Sequence, residues 1–126
     1  MTIENISEYL RNLWDWSVLD GCFGDTKIKP TDIDGFIERN GKFLAIETKS
    51  PGVDLNVGQL ISFKSLVRTG YFTVAIVWGN PGRPTRITLM TRKATLEYRN
   101  ADLAKLRWIV SRWFSYADGE RISEDT

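Results

Sequence analysis

Two carboxylates and an amine, Asp34, Glu47 and Lys49, are the residues of this chain whose types and spacing could do chemistry. Glu47-Thr48-Lys49 closes the apolar run 43–46, and Asn40-Gly41 stands between two segments rich in Ile and Phe. That pair tolerates the positive φ of a tight primed turn, so the spacing predicts a β-hairpin. Strand side chains alternate, which puts Glu47 and Lys49 on one face and Thr48 on the other. Pairing outward from the turn brings Asp34 to the level of Glu47. Asp32, one strand period earlier, could replace or join it. Two hard oxygen ligands beside open positions suit Mg²⁺, which keeps several waters and binds through one or two carboxylates plus substrate phosphate. The bland reading is a surface hairpin whose Glu47 and Lys49 make an exposed ion pair worth under about 1 kcal/mol.

Asp34 followed at this spacing by Glu47-Thr48-Lys49 resembles the PD-(D/E)xK nuclease signature of restriction enzymes, Holliday-junction resolvases and the VRR-NUC group. Pro30 precedes Asp34 at a wider separation than the direct Pro-Asp pair. Gly58-Gln59, opening the next helix, resembles the Gln that follows the lysine in VRR-NUC-like and resolvase-like members. The likeness covers roughly residues 29–79. It implies a restriction-endonuclease-like core, α-β-β-α-β-β-α, with Asp34 and Glu47 holding Mg²⁺, or Mn²⁺ in its place. The backbone carbonyl of Thr48 would be a further ligand, and Lys49 would act on the attacking water. It also implies a catalytic Glu from the first helix, for which Glu8 is the candidate, although its helical phase points to solvent. An EF-hand reading of 32–35 fails: with Gly35 at the sixth loop position, Pro30 and Gly41 stand where Asp and Glu are required.

Composition narrows the chemistry further. The 126 residues suffice for one domain, expected over 1–117 with a polar tail at 118–126. Cys22 is the only cysteine and there is no histidine, which excludes an internal disulfide and the usual zinc and histidine-base chemistries. No apolar run approaches the length of a membrane span, and the first residues lack a basic segment followed by an apolar one. A soluble cytoplasmic protein is expected, in the host cytoplasm if a bacteriophage encodes it, as the likeness to small phage-encoded members implies. The net charge of +1 hides an asymmetry: residues 1–62 balance to −4 and residues 63–126 to +5. A basic second half suggests a polyanion-facing surface; scattered solvated cations are the alternative.

Ile3, Ile6, Leu10, Leu13 and Trp14 share one helical face, predicting an amphipathic helix over about 3–16. Asn56 with Gln59 three residues on resembles a capping box that opens a helix to about Thr69, burying Leu60, Phe63 and Val67. Gln59 is then either a cap or a polar group turned toward the metal site. The apolar run 72–78 reads as a strand covered on both faces, parallel to the Glu47 strand through the helix between them. After the loop 79–84 comes a strand over 85–91, then a helix over about 100–116 with Leu103, Leu106, Ile109, Val110, Trp113 and Phe114 in the core. Lys105, Trp108 and Arg112 align on its far side, an aromatic between cations that suits nucleic acid or a protein partner. Lys64, Arg68, Arg83 and Arg86 are the other candidate phosphate contacts.

These expectations describe an α/β domain with a mixed central β-sheet flanked by helices. The expected activity is Mg²⁺-dependent DNA endonuclease cleavage, leaving a 5′-phosphate and a 3′-hydroxyl, on branched DNA such as Holliday junctions. The resolvase likeness implies a homodimer. The alternative is a catalytically inactive nuclease-like fold that binds DNA or serves as a protein-interaction or assembly domain.

Overall fold

The computed structural model describes residues 3–119, leaving aside the side chains of residues 3–5 and 9. The chain divides into two compact units, Met1–Asp32 and Ile33–Thr126. The boundary falls inside the domain expected over 1–117.

The first unit holds helix α1 (Ile3–Arg11) and a 3-10 turn (Trp16–Leu19). The helix stops five residues short of the expected end because Asp15 starts a new turn, its carboxylate accepting from the Ser17 amide at 3.0 Å. A side chain that satisfies an otherwise orphan amide competes with helix continuation. Ile6, Leu10, Leu13 and Trp14, expected on a buried face, are exposed.

The second unit is a five-stranded mixed sheet with a helix on each face. Its elements are β1 (Gly35–Arg39), β2 (Lys42–Lys49), α2 (Val57–Arg68), β3 (Phe72–Asn80), β4 (Arg83–Met90), β5 (Thr95–Arg99) and α3 (Leu103–Gly119). The strands lie in sequence order, and only β2 and β3 run parallel. Asn40 and Gly41 have φ of 53° and 77°, the two positive values a primed turn demands, and they pair Arg39 with Lys42. Helix α2 then carries the chain back so that β3 runs alongside β2.

Burial follows strand alternation. Ala45, Val74, Ile76 and Trp78 pack with Phe63 and Val67 of α2. Leu44 and Ala75 pack with Trp113 and Ala117 of α3, and Val77 and Ile87 with Ile109. Central β3 is therefore apolar on both faces, as its continuous apolar run predicts.

Three features depart from expectation. The loop expected over 79–84 shrinks to Pro81-Gly82, because β3 runs to Asn80 and pairs there with Arg83, so that β4 spans Arg83–Met90 rather than 85–91. Strand β5, for which the sequence predicts no element, forms after a turn in which the Thr91 hydroxyl accepts from the Lys93 and Ala94 amides and donates to the Ala94 carbonyl. Helix α3 starts three residues late, with the Asp102 carboxylate accepting from the Lys105 amide at 2.9 Å, and continues to Gly119. Asp118 thus belongs to the helix rather than to a polar tail, and Arg39 Nε donates to it at 2.8 Å. The rest of the expected tail, 120–126, lies outside the described residues.

Candidate active site

Strand β2 is anchored between β1 and β3, which holds its last three residues, Glu47, Thr48 and Lys49, in register with Ile76, Val77 and Trp78. Glu47 falls on the α2 face and is only 7% exposed. An exposed surface ion pair is therefore not what this hairpin presents. Gln59 resolves its two expected roles by filling both: its amide donates to the Asn56 cap at 2.7 Å, while its side-chain Nε2 donates to Glu47 Oε1 at 3.4 Å. The first turn of α2 thus places a polar group on the buried acid. Gln59 Oε1 is buried and has no hydrogen-bond partner among the described residues.

Asp34 precedes β1 and, with Gly35 paired to Ile46, stands at the level of Glu47 as the hairpin predicts. Its carboxylate is turned to Thr48. Asp34 Oδ2 accepts from the Thr48 amide at 2.8 Å and from the Thr48 hydroxyl at 2.9 Å. The expected convergence of the two acids is therefore divided, with Glu47 held by Gln59 and Asp34 by Thr48. The physical reason is that β1 begins only at Gly35, the residue after Asp34, so the Asp34 side chain takes the amide that a strand starting earlier would have satisfied. Among the described residues no group of three or more His, Cys, Asp or Glu side chains assembles. Asp32 and Glu8 belong to the first unit, where Glu8 is exposed and Asp32 borders a shallow cleft with Trp14 and Trp16.

Lys49 closes β2 and lines a cleft of about 360 Å³ at the carboxyl ends of β2 and β3. Leu103 and Leu106 also line that cleft. Both were expected in the core, yet Leu103 is 47% exposed because it is the first residue of the helix. Ser50 and Asn80, at the rim, carried no signal in the sequence beyond their place in loops.

The basic residues do not form one surface. Lys64 and Arg68 lie on α2, whereas Lys105, Trp108 and Arg112 lie on α3, on the opposite face of the sheet. Arg83 is exposed at the start of β4. Arg86 is engaged internally, its guanidinium 4.3 Å over the Trp78 ring and paired with Glu97 at 3.3 Å. On α3, Lys105 Nζ lies 3.9 Å from the Trp108 ring centre and 4.8 Å from that of Tyr98, with Arg112 5.3 Å from Trp108. Trp108 remains 48% exposed.

Comparison of the chain with protein-family models, with curated proteins and with solved structures finds no match. No described helix is long and apolar enough to cross a membrane.

Proposed function

We propose that the sheet unit is a restriction-endonuclease-like core and that the chain is a Mg²⁺-dependent DNA endonuclease. The observation that carries this reading is the nearly buried Glu47, met by the Gln59 amide from the neighbouring helix, on the same strand end as Lys49. Burying an acid costs free energy that a purely structural hairpin has no reason to bear. What supports a hard divalent ion is the type of the donors: Asp34 and Glu47 are carboxylates at one hairpin level, and Gln59 Oε1 is a buried amide oxygen. Glu47 and Asp34 would hold Mg²⁺, or Mn²⁺ in its place, with the Thr48 carbonyl as a third donor. Such an ion, when bound, lowers the pKa of a coordinated water and offsets charge on the phosphate.

The chain's own groups do the rest. Gln59 orients the Glu47 carboxylate. Asp34, exposed at the open end of the hairpin, turns from the Thr48 hydroxyl toward Glu47. Lys49 orients the attacking water and steadies the charge that grows on the phosphate oxygens. In-line attack leaves a 5′-phosphate and a 3′-hydroxyl. Branched DNA such as a Holliday junction is the substrate class this reading favours, and symmetric cutting of two strands would call for a homodimer.

The test is incubation of linear, nicked, flap and four-way DNA with Mg²⁺, with Mn²⁺ and with EDTA. Wild type should cut in either metal and not in EDTA. Glu47→Ala should lose at least about a hundredfold of that activity, the size seen when one group acting on developing charge is removed. Its circular dichroism spectrum should be unchanged.

A second reading is favoured by the exposed Trp108 between two cations, together with Asp34 already engaged by Thr48. In it the domain is an inactive nuclease-like fold whose α3 face binds DNA or assembles with a protein. Trp108→Ala would then abolish association, and Glu47→Ala would change nothing.

A further inference from the structure

Helix α3 spaces Lys105, Trp108, Arg112 and Tyr116 so that they share one flank, about 16 Å long along the helix axis. Only the tertiary structure shows what that flank meets. At its start Lys105 Nζ lies 3.9 Å from the Trp108 ring centre and 4.8 Å from that of Tyr98, on β5. At its end Lys42 Nζ, from the start of β2, lies 5.8 Å from the ring centre of Tyr116 and 5.7 Å from that of Tyr71, the residue before β3. Rings and cations therefore alternate from Tyr98 across α3 to Tyr71.

Two properties of this stripe select its partner. The first is uncompensated charge: residues 103–117 contain no Asp or Glu, and Lys42, Lys105 and Arg112 lie over rings. A ring holds a cation in place without neutralising it. Like charges fixed in a row repel one another, and a polyanion relieves that. The second is free ring area, since Trp108, Tyr116 and Tyr71 are each half-exposed. Protein interfaces are depleted of lysine, whereas two of these three cations are lysines. A polymer that repeats a planar base and a phosphate uses the rings and the cations together. Bases inside a duplex stack on one another and leave the rings idle.

We propose that this stripe binds single-stranded nucleic acid, with bases stacked on Trp108, Tyr116 and Tyr71 and phosphates on the cations between them. Such binding takes up the nucleic-acid arm of the second reading, on which it rests for its face. It holds whether or not the chain cuts, because the stripe lies across the sheet from Glu47.

The full chain is titrated in EDTA against labelled oligothymidylate, with binding read by anisotropy. Unlabelled oligouridylate, a blunt duplex of the same length and inorganic polyphosphate then compete for it. A single strand should bind about tenfold more tightly than duplex or polyphosphate, the effect of stacking at least one base. Whichever of the two strands binds more tightly names the sugar. Trp108→Ala and Tyr71→Ser should each weaken strand binding about tenfold, and Trp108→Phe should restore most of it. Both positions are half-exposed, and thermal melting reports whether each variant folds.

Duplex or polyphosphate bound as tightly as either strand overturns the proposal. So does unchanged strand binding by the two folded variants. Self-association lost in Trp108→Ala, with no strand binding by wild type, would give the face to a protein partner and overturn it equally. Strand binding without Mg²⁺-dependent cutting would remove the endonuclease reading and keep the stripe. Cutting by wild type, with stripe variants that bind strands unchanged, would do the reverse.

Discussion

Glu47 and Gly79 show how single positions hold this site in shape. Glu47 is buried on the α2 face, where Gln59 Nε2 donates to it. Gly79 sits where β3 bulges against β4. A Cβ at that position would collide with the Arg83 carbonyl oxygen and lie 2.7 Å from Pro84 Cα, both of them backbone that cannot swing aside. Gly79→Ala should therefore cost more than about 2 kcal/mol, the range of substitutions that force backbone strain. A urea melt with an unchanged m-value would measure it, and a loss under half that size would mean the β3–β4 connection gives way easily.

At the scale of elements, caps and turns decide where the site groups land. Asn56 accepts from the Gln59 amide, which fixes the first turn of α2 and with it the direction of the Gln59 side chain. Asn56→Ala should lower stability by about 1 kcal/mol. If the chain is the endonuclease proposed above, it should also reduce Mg²⁺-dependent cutting more than that loss of folded protein explains, which kinetics at a temperature well below the melt would reveal. In the first unit, the Ser17 amide, then its hydroxyl, hold the Asp15 carboxyl below its ordinary value of 3.8. A depressed acid contributes its stabilisation above the unfolded pKa and loses it as pH falls through the folded one. The Trp16–Leu19 turn should accordingly be insensitive to pH above that ordinary value and loosen only in stronger acid. The Ser17 amide chemical shift would follow this, and Asp15→Asn should show no such acid step.

On the scale of the whole molecule, charge is distributed by layer. The basic second half of the sequence divides between α2 on one face of the sheet and α3 on the other, so a single DNA duplex cannot be gripped by all of it at once. If α3 binds phosphates, the Lys105→Ala/Arg112→Ala pair should reduce the slope of log K against log salt by about 2, near one unit for each phosphate no longer neutralised. An unchanged slope with weakened self-association would move that face to a protein partner.

What was legible in the sequence was whatever local backbone chemistry dictates. Asn40-Gly41 requires a primed turn, Asn56 requires a helix start, Gly70 with φ of 83° follows a helix end, and the apolar run 72–78 requires cover on both faces. Each of these follows from neighbours within a few residues, so the hairpin, α2, β3 and the level of Asp34 against Glu47 could be read without coordinates. Strand β5 was not legible, because it is short and mostly exposed and is held by pairing with β4 rather than by its own pattern. Nor could the sequence tell which neighbour each acid would meet. Thr48 reached Asp34 and Gln59 reached Glu47 only once strand ends and helix starts were packed together, since hydrogen-bond partners many residues apart are chosen by tertiary geometry. The cleft at Lys49 is of the same kind: it exists because two parallel strands end together under a helix that begins far along the chain, at Leu103.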